Sequence, residues 1–172
     1  LVKKVVLLLS FNLNYKNIHK YSSEEILTKI QQLKASVTLE GLQKLANIYL
    51  LHGELTEKEL NTLYNHPKVK AHVSFTKGEG FGRPLLEASV SGKPVIATGW
   101  SGHMDFLTPN ESLLVGGELK NVHPSSVWEN VIMAEASWFS ADPQQCVNAF
   151  AAAFLDYTSY KNKAYKTLVK GT

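Results

Sequence analysis

Lys77-Gly-Glu-Gly-Phe-Gly-Arg-Pro-Leu-Leu-Glu-Ala88 decides how this chain is read, because a glycine-rich turn runs straight into a helix and carries two carboxylates with it. Pro84 suits the opening of a helix: its missing N–H would go unpaired there, and its φ is already helical. The pattern predicts a helix from Pro84 through Leu85, Leu86, Glu87, Ala88 and Val90 to a stop at Gly92. Gly78, Gly80 and Gly82 precede it, and residues without Cβ let backbone N–H groups approach a ligand closely. Free N–H groups at the positive end of a helix dipole favour an anion. Glu87 is expected in the first turn, able to accept from hydroxyls beside a bound phosphate, and Glu79 in the loop, better placed for a reacting group. The plainer reading of the same residues is a first-turn glutamate offsetting the dipole, in a turn of a kind common among α/β proteins.

The flanking sequence supplies the frame. Residues 5–9 are a continuous β-branched and aliphatic run, as in a strand buried on both faces of a parallel sheet. Ser22-Ser-Glu-Glu25 opens a capped helix with Ile26, Ile30, Leu33 and Val37 at helical spacing. Asn47-Ile-Tyr-Leu-Leu51 is a second strand, closed by His52-Gly53, and Thr56 caps a helix carrying Leu60, Leu63 and Tyr64 that ends at His66-Pro67. Residues 71–75, 94–98 and 112–115 are further strands. Residues 125–136 and 143–157 are expected as helices, with 160–168 extending the last one outward. Strands alternating with helices predict an α/β fold: a Rossmann-like, doubly wound parallel sheet with helices on both faces. Ligands of such sheets bind beyond the C-terminal strand ends, which groups residues 12–16, the Gly53 loop, 77–83 and 99–103 along one edge.

At 172 residues and 44% apolar, the chain fits a single domain over 1–172 with a sizeable core, its last part (143–172) being C-terminal helices. Eighteen basic against fifteen acidic residues give a charge of +3, too mild to argue for nucleic acid or an anionic membrane. Cys146 is the only cysteine, so no internal disulfide forms, and it is expected to pack as a small apolar residue. No apolar stretch approaches a membrane span. Lys3-Lys-Val-Val-Leu-Leu-Leu9 is too short in its apolar part for a signal peptide and lacks a cleavage site. The histidines His19, His52, His66, His72, His103 and His123 show no metal-ligand spacing. His103 and Asp105 read as loop or capping residues, and Ser101 and Ser74 lack the flanking pattern of a hydrolase nucleophile.

The opening segment resembles the Glu-x7-Glu signature of retaining glycosyltransferases of group 1, found in the C-terminal, nucleotide-sugar-binding domain of their GT-B fold. The likeness continues: Gly92-Lys-Pro-Val-Ile-Ala-Thr-Gly99 resembles the family's next strand, Trp100-Ser-Gly-His-Met-Asp-Phe-Leu107 its "SGNxDF" segment, and Asn110-Glu-Ser-Leu-Leu-Val115 its following strand. The resemblance implies one half of a GT-B enzyme that takes a sugar, of hexosyltransferase type, from a UDP- or GDP-type donor. No metal or other cofactor is implied. The acceptor, whether glycan, lipid or protein, is left open, and polysaccharide biosynthesis in the cytoplasm, free or peripheral to a membrane, is the implied setting. The chain opens at Leu1, close to a strand, as expected of a domain whose N-terminal acceptor-binding partner is absent.

By the same resemblance Glu87 holds the ribose hydroxyls, and Glu79 lies near the donor sugar, with Lys16 as its catalytic companion facing the diphosphate. Phe81, Gly82 and Arg83 offer N–H groups to the phosphates, and Gly80, Asn12, Lys77, Ser101 and Gly102 complete the donor site. One departure stands out: many members carry an arginine in the loop after the first strand, where this chain has Asn12 and Tyr15. Charge-assisted bonds to phosphate are the strong ones, and Arg83 or Lys77 is the candidate replacement. Two alternatives accompany this reading. One is a nucleotide-binding or scaffolding module without activity, and the other an epimerase-like GT-B protein.

Overall fold

The computed structural model describes residues 6–11, 22–37 and 47–170. They belong to two compact units, residues 1–60 and 61–172.

In the first unit, strand β1 (Val6–Phe11) pairs in parallel with β2 (Asn47–His52), with Val6 opposite Asn47 and Phe11 opposite His52. Helix α1 (Ser23–Val37) opens with a reciprocal cap: the Glu25 N–H donates to Ser22 Oγ at 3.1 Å, and the Ser22 N–H donates to a Glu25 carboxylate oxygen at 2.7 Å. Ile26 is buried, whereas Leu33, expected on the same face, is 64% exposed. Thr56 and Glu59 form the same kind of cap at the start of α2 (Glu57–Asn65).

The second unit holds a three-stranded parallel sheet in the order β3 (His72–Ser74), β4 (Val95–Thr98), β5 (Leu113–Val115). Every residue of the central strand β4 is buried, and its side chains alternate between two cores. Val95 and Ala97 pack with Leu85, Ala88 and Leu107 under α3 (Arg83–Ser89). Ile96 faces the other way and packs with Val115, Ala149 and Ala153 under α4 (Pro143–Leu155). Helices therefore cover both faces of a parallel sheet, as the alternating pattern predicts. Cys146 lies half-buried against the second core, and burial pushes its thiol pKa up.

Two expectations are corrected. Residues 125–136 are not a helix. A short 3-10 turn (Pro124–Ser126) is followed by a reversal in which the Trp128 and Ile132 backbones pair antiparallel around Asn130, whose φ is +61°. Asparagine enters that left-handed region at low cost, and Val127, Trp128, Val131 and Ile132 are strand formers. The reversal sits between β6 (Gly117–Asn121) and β7 (Ser137–Ala141), an antiparallel pair that alternating strands and helices do not suggest. The last helix is also not one continuous rod. α4 is capped by Asp142 Oδ1, which accepts from the Gln145 N–H at 2.7 Å, and stops at Leu155. Asp156 then turns the chain into a separate helix, α5 (Tyr157–Lys170).

Candidate functional site

The turn between β3 and α3 is built around Gly82, which has φ +83° and precedes the first helical residue. A side chain there would be strained, and its Cβ would press on His103 Cβ at 3.0 Å. The N–H groups of Leu85 and Leu86 both donate to Gly82 O, so the helix starts at Arg83 rather than Pro84. Glu87 is then the fifth helical residue and lies beyond the first turn, contrary to the sequence reading. The dipole at the helix start does not account for it. Its immediate partner is Arg83, whose Nε donates to Glu87 Oε1 at 2.6 Å across one helical turn.

Glu79 has a different environment. Its side chain is half-buried, and its carboxylate has no hydrogen bond or ion pair among the described residues, while its main chain is held from both sides. Ser101 Oγ accepts from the Glu79 N–H at 3.1 Å and donates to Glu79 O at 2.7 Å, and the Gly102 N–H donates to the same carbonyl at 3.0 Å. Gly102 is the second position where only glycine fits, since a Cβ would overlap the Gly80 carbonyl. Ser101 itself stands at φ +81°, ψ −167°, a region that costs a non-glycine residue on the order of 1–3 kcal/mol. The N–H groups of Gly80, Phe81 and Gly82 have no partner among the described residues. Three free donors thus follow an unpaired carboxylate in one turn.

Around this turn the support is aromatic. The Phe139 N–H donates to Lys77 O at 3.1 Å, Lys77 Nζ lies 4.2 Å from the centre of the Trp138 ring, and Trp100 stacks on Phe139 at 5.7 Å with an angle of 4°. Phe81 leans on Phe106 at 5.5 Å. His103 is fully buried and its Nε2 lies 2.6 Å from Thr98 O. A carbonyl only accepts, so Nε2 carries the proton. Nδ1 is buried without a partner, and Asp105, exposed, does not pair with it. His103 anchors the floor beneath Gly82, a loop role as expected.

The structure thus brings Glu79, Gly80, Phe81, Gly82, Arg83, Glu87, Ser101 and Gly102 to one turn and its clasp, with Lys77 at the side. Asn12 and Lys16 lie outside the described residues, so the pairing of Lys16 with Glu79 does not enter the geometry. Sequence reasoning missed Trp138 and Phe139, whose only signal was an aromatic pair shortly before Asp142-Pro143.

A second polar cluster lies behind α3. His72 Nε2 is 3.3 Å from Ser91 Oγ, and its ring meets Tyr64 edge-on at 5.1 Å. Ser91 gives its proton to Ala88 O at 2.7 Å, so the pair is no activated nucleophile. Burial first, then the nearby Lys93 charge, push His72 down to about 4. Lys93 donates to the Tyr64 and His66 carbonyls, capping the end of α2. Among the described residues no three His, Cys, Asp or Glu side chains gather as metal ligands.

Parallel strands clad by helices, with a glycine turn of free N–H groups leaving the C-terminal end of a strand, define a Rossmann-like α/β domain. The chain belongs to the group 1 glycosyltransferases: the family model described as Glycosyl transferases group 1 matches residues 29–122, more than half of the chain and all of the turn from Lys77 to Glu87. Glycosyl transfer, from a sugar donor to an acceptor, is the activity this membership supports. The match ends before β7, leaving Trp138 and Phe139 outside it. A comparison with curated proteins finds no match. No described helix is long and apolar enough to cross a membrane.

Proposed function

We propose that this domain binds the donor of a retaining, metal-independent glycosyltransferase of hexosyltransferase type, a UDP- or GDP-type sugar. The observation that carries the proposal is the run of unpaired N–H groups at Gly80, Phe81 and Gly82 directly after the unpaired carboxylate of Glu79. As the glycosidic bond to the diphosphate breaks, negative charge grows on the leaving phosphate and positive charge on the anomeric carbon. Preorganised donors stabilise the first and a fixed carboxylate the second. Glu79 takes the latter part, without acting as a nucleophile. Glu87 accepts from the ribose hydroxyls, and Arg83, one helical turn away, adds positive charge toward the diphosphate. Lys16 and Asn12 are proposed to complete the phosphate side. The acceptor enters from a partner domain.

Calorimetric titration of the chain with UDP, GDP and ADP tests this reading. Binding of UDP or GDP, weakened in Glu87→Ala with the fold intact, is expected. Failure to bind any of the three overturns it.

A further inference from the structure

We propose that Ser101 is a positioning residue. Its hydroxyl clasps the main chain of Glu79 and so sets where the Glu79 carboxylate and the N–H groups of Gly80, Phe81 and Gly82 are presented to a nucleoside-diphosphate sugar. The proposal rests on the donor-site reading above and changes the part Ser101 plays in it. A serine hydroxyl has one proton to give. Ser101 spends it on Glu79 O at 2.7 Å while accepting the Glu79 N–H at 3.1 Å. A phosphate oxygen only accepts, so Ser101 in this arrangement has nothing to donate to it. Its contribution reaches the ligand through Glu79.

The backbone supports the same conclusion. At φ +81°, ψ −167°, Ser101 occupies a region populated essentially by glycine, and a residue with a side chain stays there only when its surroundings hold it. Glycine would adopt the same turn without strain, so what serine adds at this position is the hydroxyl. The clasp joins segments 22 residues apart, the turn after β3 and the turn after β4. Gly102 reinforces it with a third hydrogen bond to the same carbonyl, and its missing Cβ lets the Gly80 carbonyl pass. The two peptide units that flank the Glu79 Cα are thereby held by three hydrogen bonds, while the N–H groups beyond them have no partner among the described residues.

The test uses Ser101→Gly in the full chain, a variant that removes the hydroxyl and relieves the backbone together. Amide hydrogen exchange at Glu79, without ligand, reports the clasp. Titration with UDP and GDP reports the positioning. We expect exchange at Glu79 to quicken at least tenfold and the dissociation constant for the nucleotide to rise about tenfold, with the thermal midpoint close to that of the parent. Ser101→Ala, which loses the hydroxyl but keeps the strained backbone, is expected to weaken binding equally and to melt lower. If it fails to fold, the glycine variant decides alone. Unchanged protection of the Glu79 amide in Ser101→Gly overturns the clasp. Faster exchange with unchanged nucleotide affinity overturns the positioning role and leaves Ser101 a turn residue. Absence of nucleotide binding by the parent overturns the donor-site reading itself, and the positioning role with it. That outcome is separable because it is read on the parent alone.

Discussion

At the scale of single residues, the two glutamates that share a sequence motif do different things. Glu79 is unpaired by side chain among the described residues and held by main chain, whereas Glu87 is paired with Arg83 across an exposed helical turn. An i, i+4 ion pair of this exposure is worth about 0.3–0.5 kcal/mol, so loss of that pair by itself should barely move stability. The effects on binding should differ in kind. Glu87→Ala is expected to weaken both uridine and UDP, because the ribose is common to them. Arg83→Ala is expected to weaken UDP by about tenfold and uridine much less, because a charge-assisted contact to phosphate is lost. Parallel titrations of the two variants with the two ligands check this, and equal losses on uridine would remove the division of labour. The glycine turn and both glutamates were legible from residue types and spacing, and the serine-glycine pair from the family resemblance. The helix start at Arg83 was not, because it depends on the left-handed φ of Gly82, which local sequence permits without requiring. The direction of the Ser101 hydroxyl was hidden for a related reason: contacts across 22 residues leave no periodicity.

At the scale of elements, buried strands and capped helices were readable because burial on both faces and cap chemistry leave local marks. Residues 95–98 are apolar except for Thr98, whose hydroxyl is absorbed by Thr76 O at 3.2 Å. The β6–β7 pair was not readable, since Gly117–Asn121 is exposed along its whole length and offers no alternation of apolar and polar residues. That pair nonetheless reaches the candidate site, through the Phe139 N–H to Lys77 O and the stack of Trp100 on Phe139. Its weak point is Gly117, where a Cβ would overlap the Ser140 carbonyl and lie 2.9 Å from Phe139 Cζ. Gly117→Ala is expected to push the strands apart, to lower stability by roughly 1–3 kcal/mol and to shift tryptophan fluorescence as Trp100 loses its stacking partner. Denaturant unfolding followed by fluorescence measures both. An alanine variant with parent-like midpoint and emission would mean that the pair tolerates the extra atom.

At the scale of the folded molecule, the polar cluster behind α3 contains a histidine that cannot easily be charged, and this ties stability to pH. His72 sits between the Tyr64 ring and Ser91, with Lys93 nearby and Glu87 acting on the same tyrosine. Burial and the Lys93 charge depress its pKa from 6.5 to about 4 in the fold. Above pH 6.5 the ring is neutral folded or unfolded, and the native contacts count in full. As pH falls from about 6.5 toward 4, the unfolded chain takes up a proton that the folded one refuses. Stability is therefore lost on the way down, with a slope of up to about 1.4 kcal/mol per pH unit and a total of roughly 3 kcal/mol. Glu25 and Glu59, whose pKa values are lowered from 4.5 by their caps, lose their contribution as pH falls below that value and their carboxylates protonate, in the parent and a His72 variant alike. The difference between the parent and His72→Phe isolates the histidine, because phenylalanine keeps the ring edge on Tyr64 and cannot titrate, while Ser91 still donates to Ala88 O. Urea unfolding at several pH values from 7 to 4 should show the parent losing stability more steeply than the variant between 6.5 and 4, with parallel behaviour above. Identical slopes in the two chains would mean that the folded molecule opens enough around His72 to let the proton in.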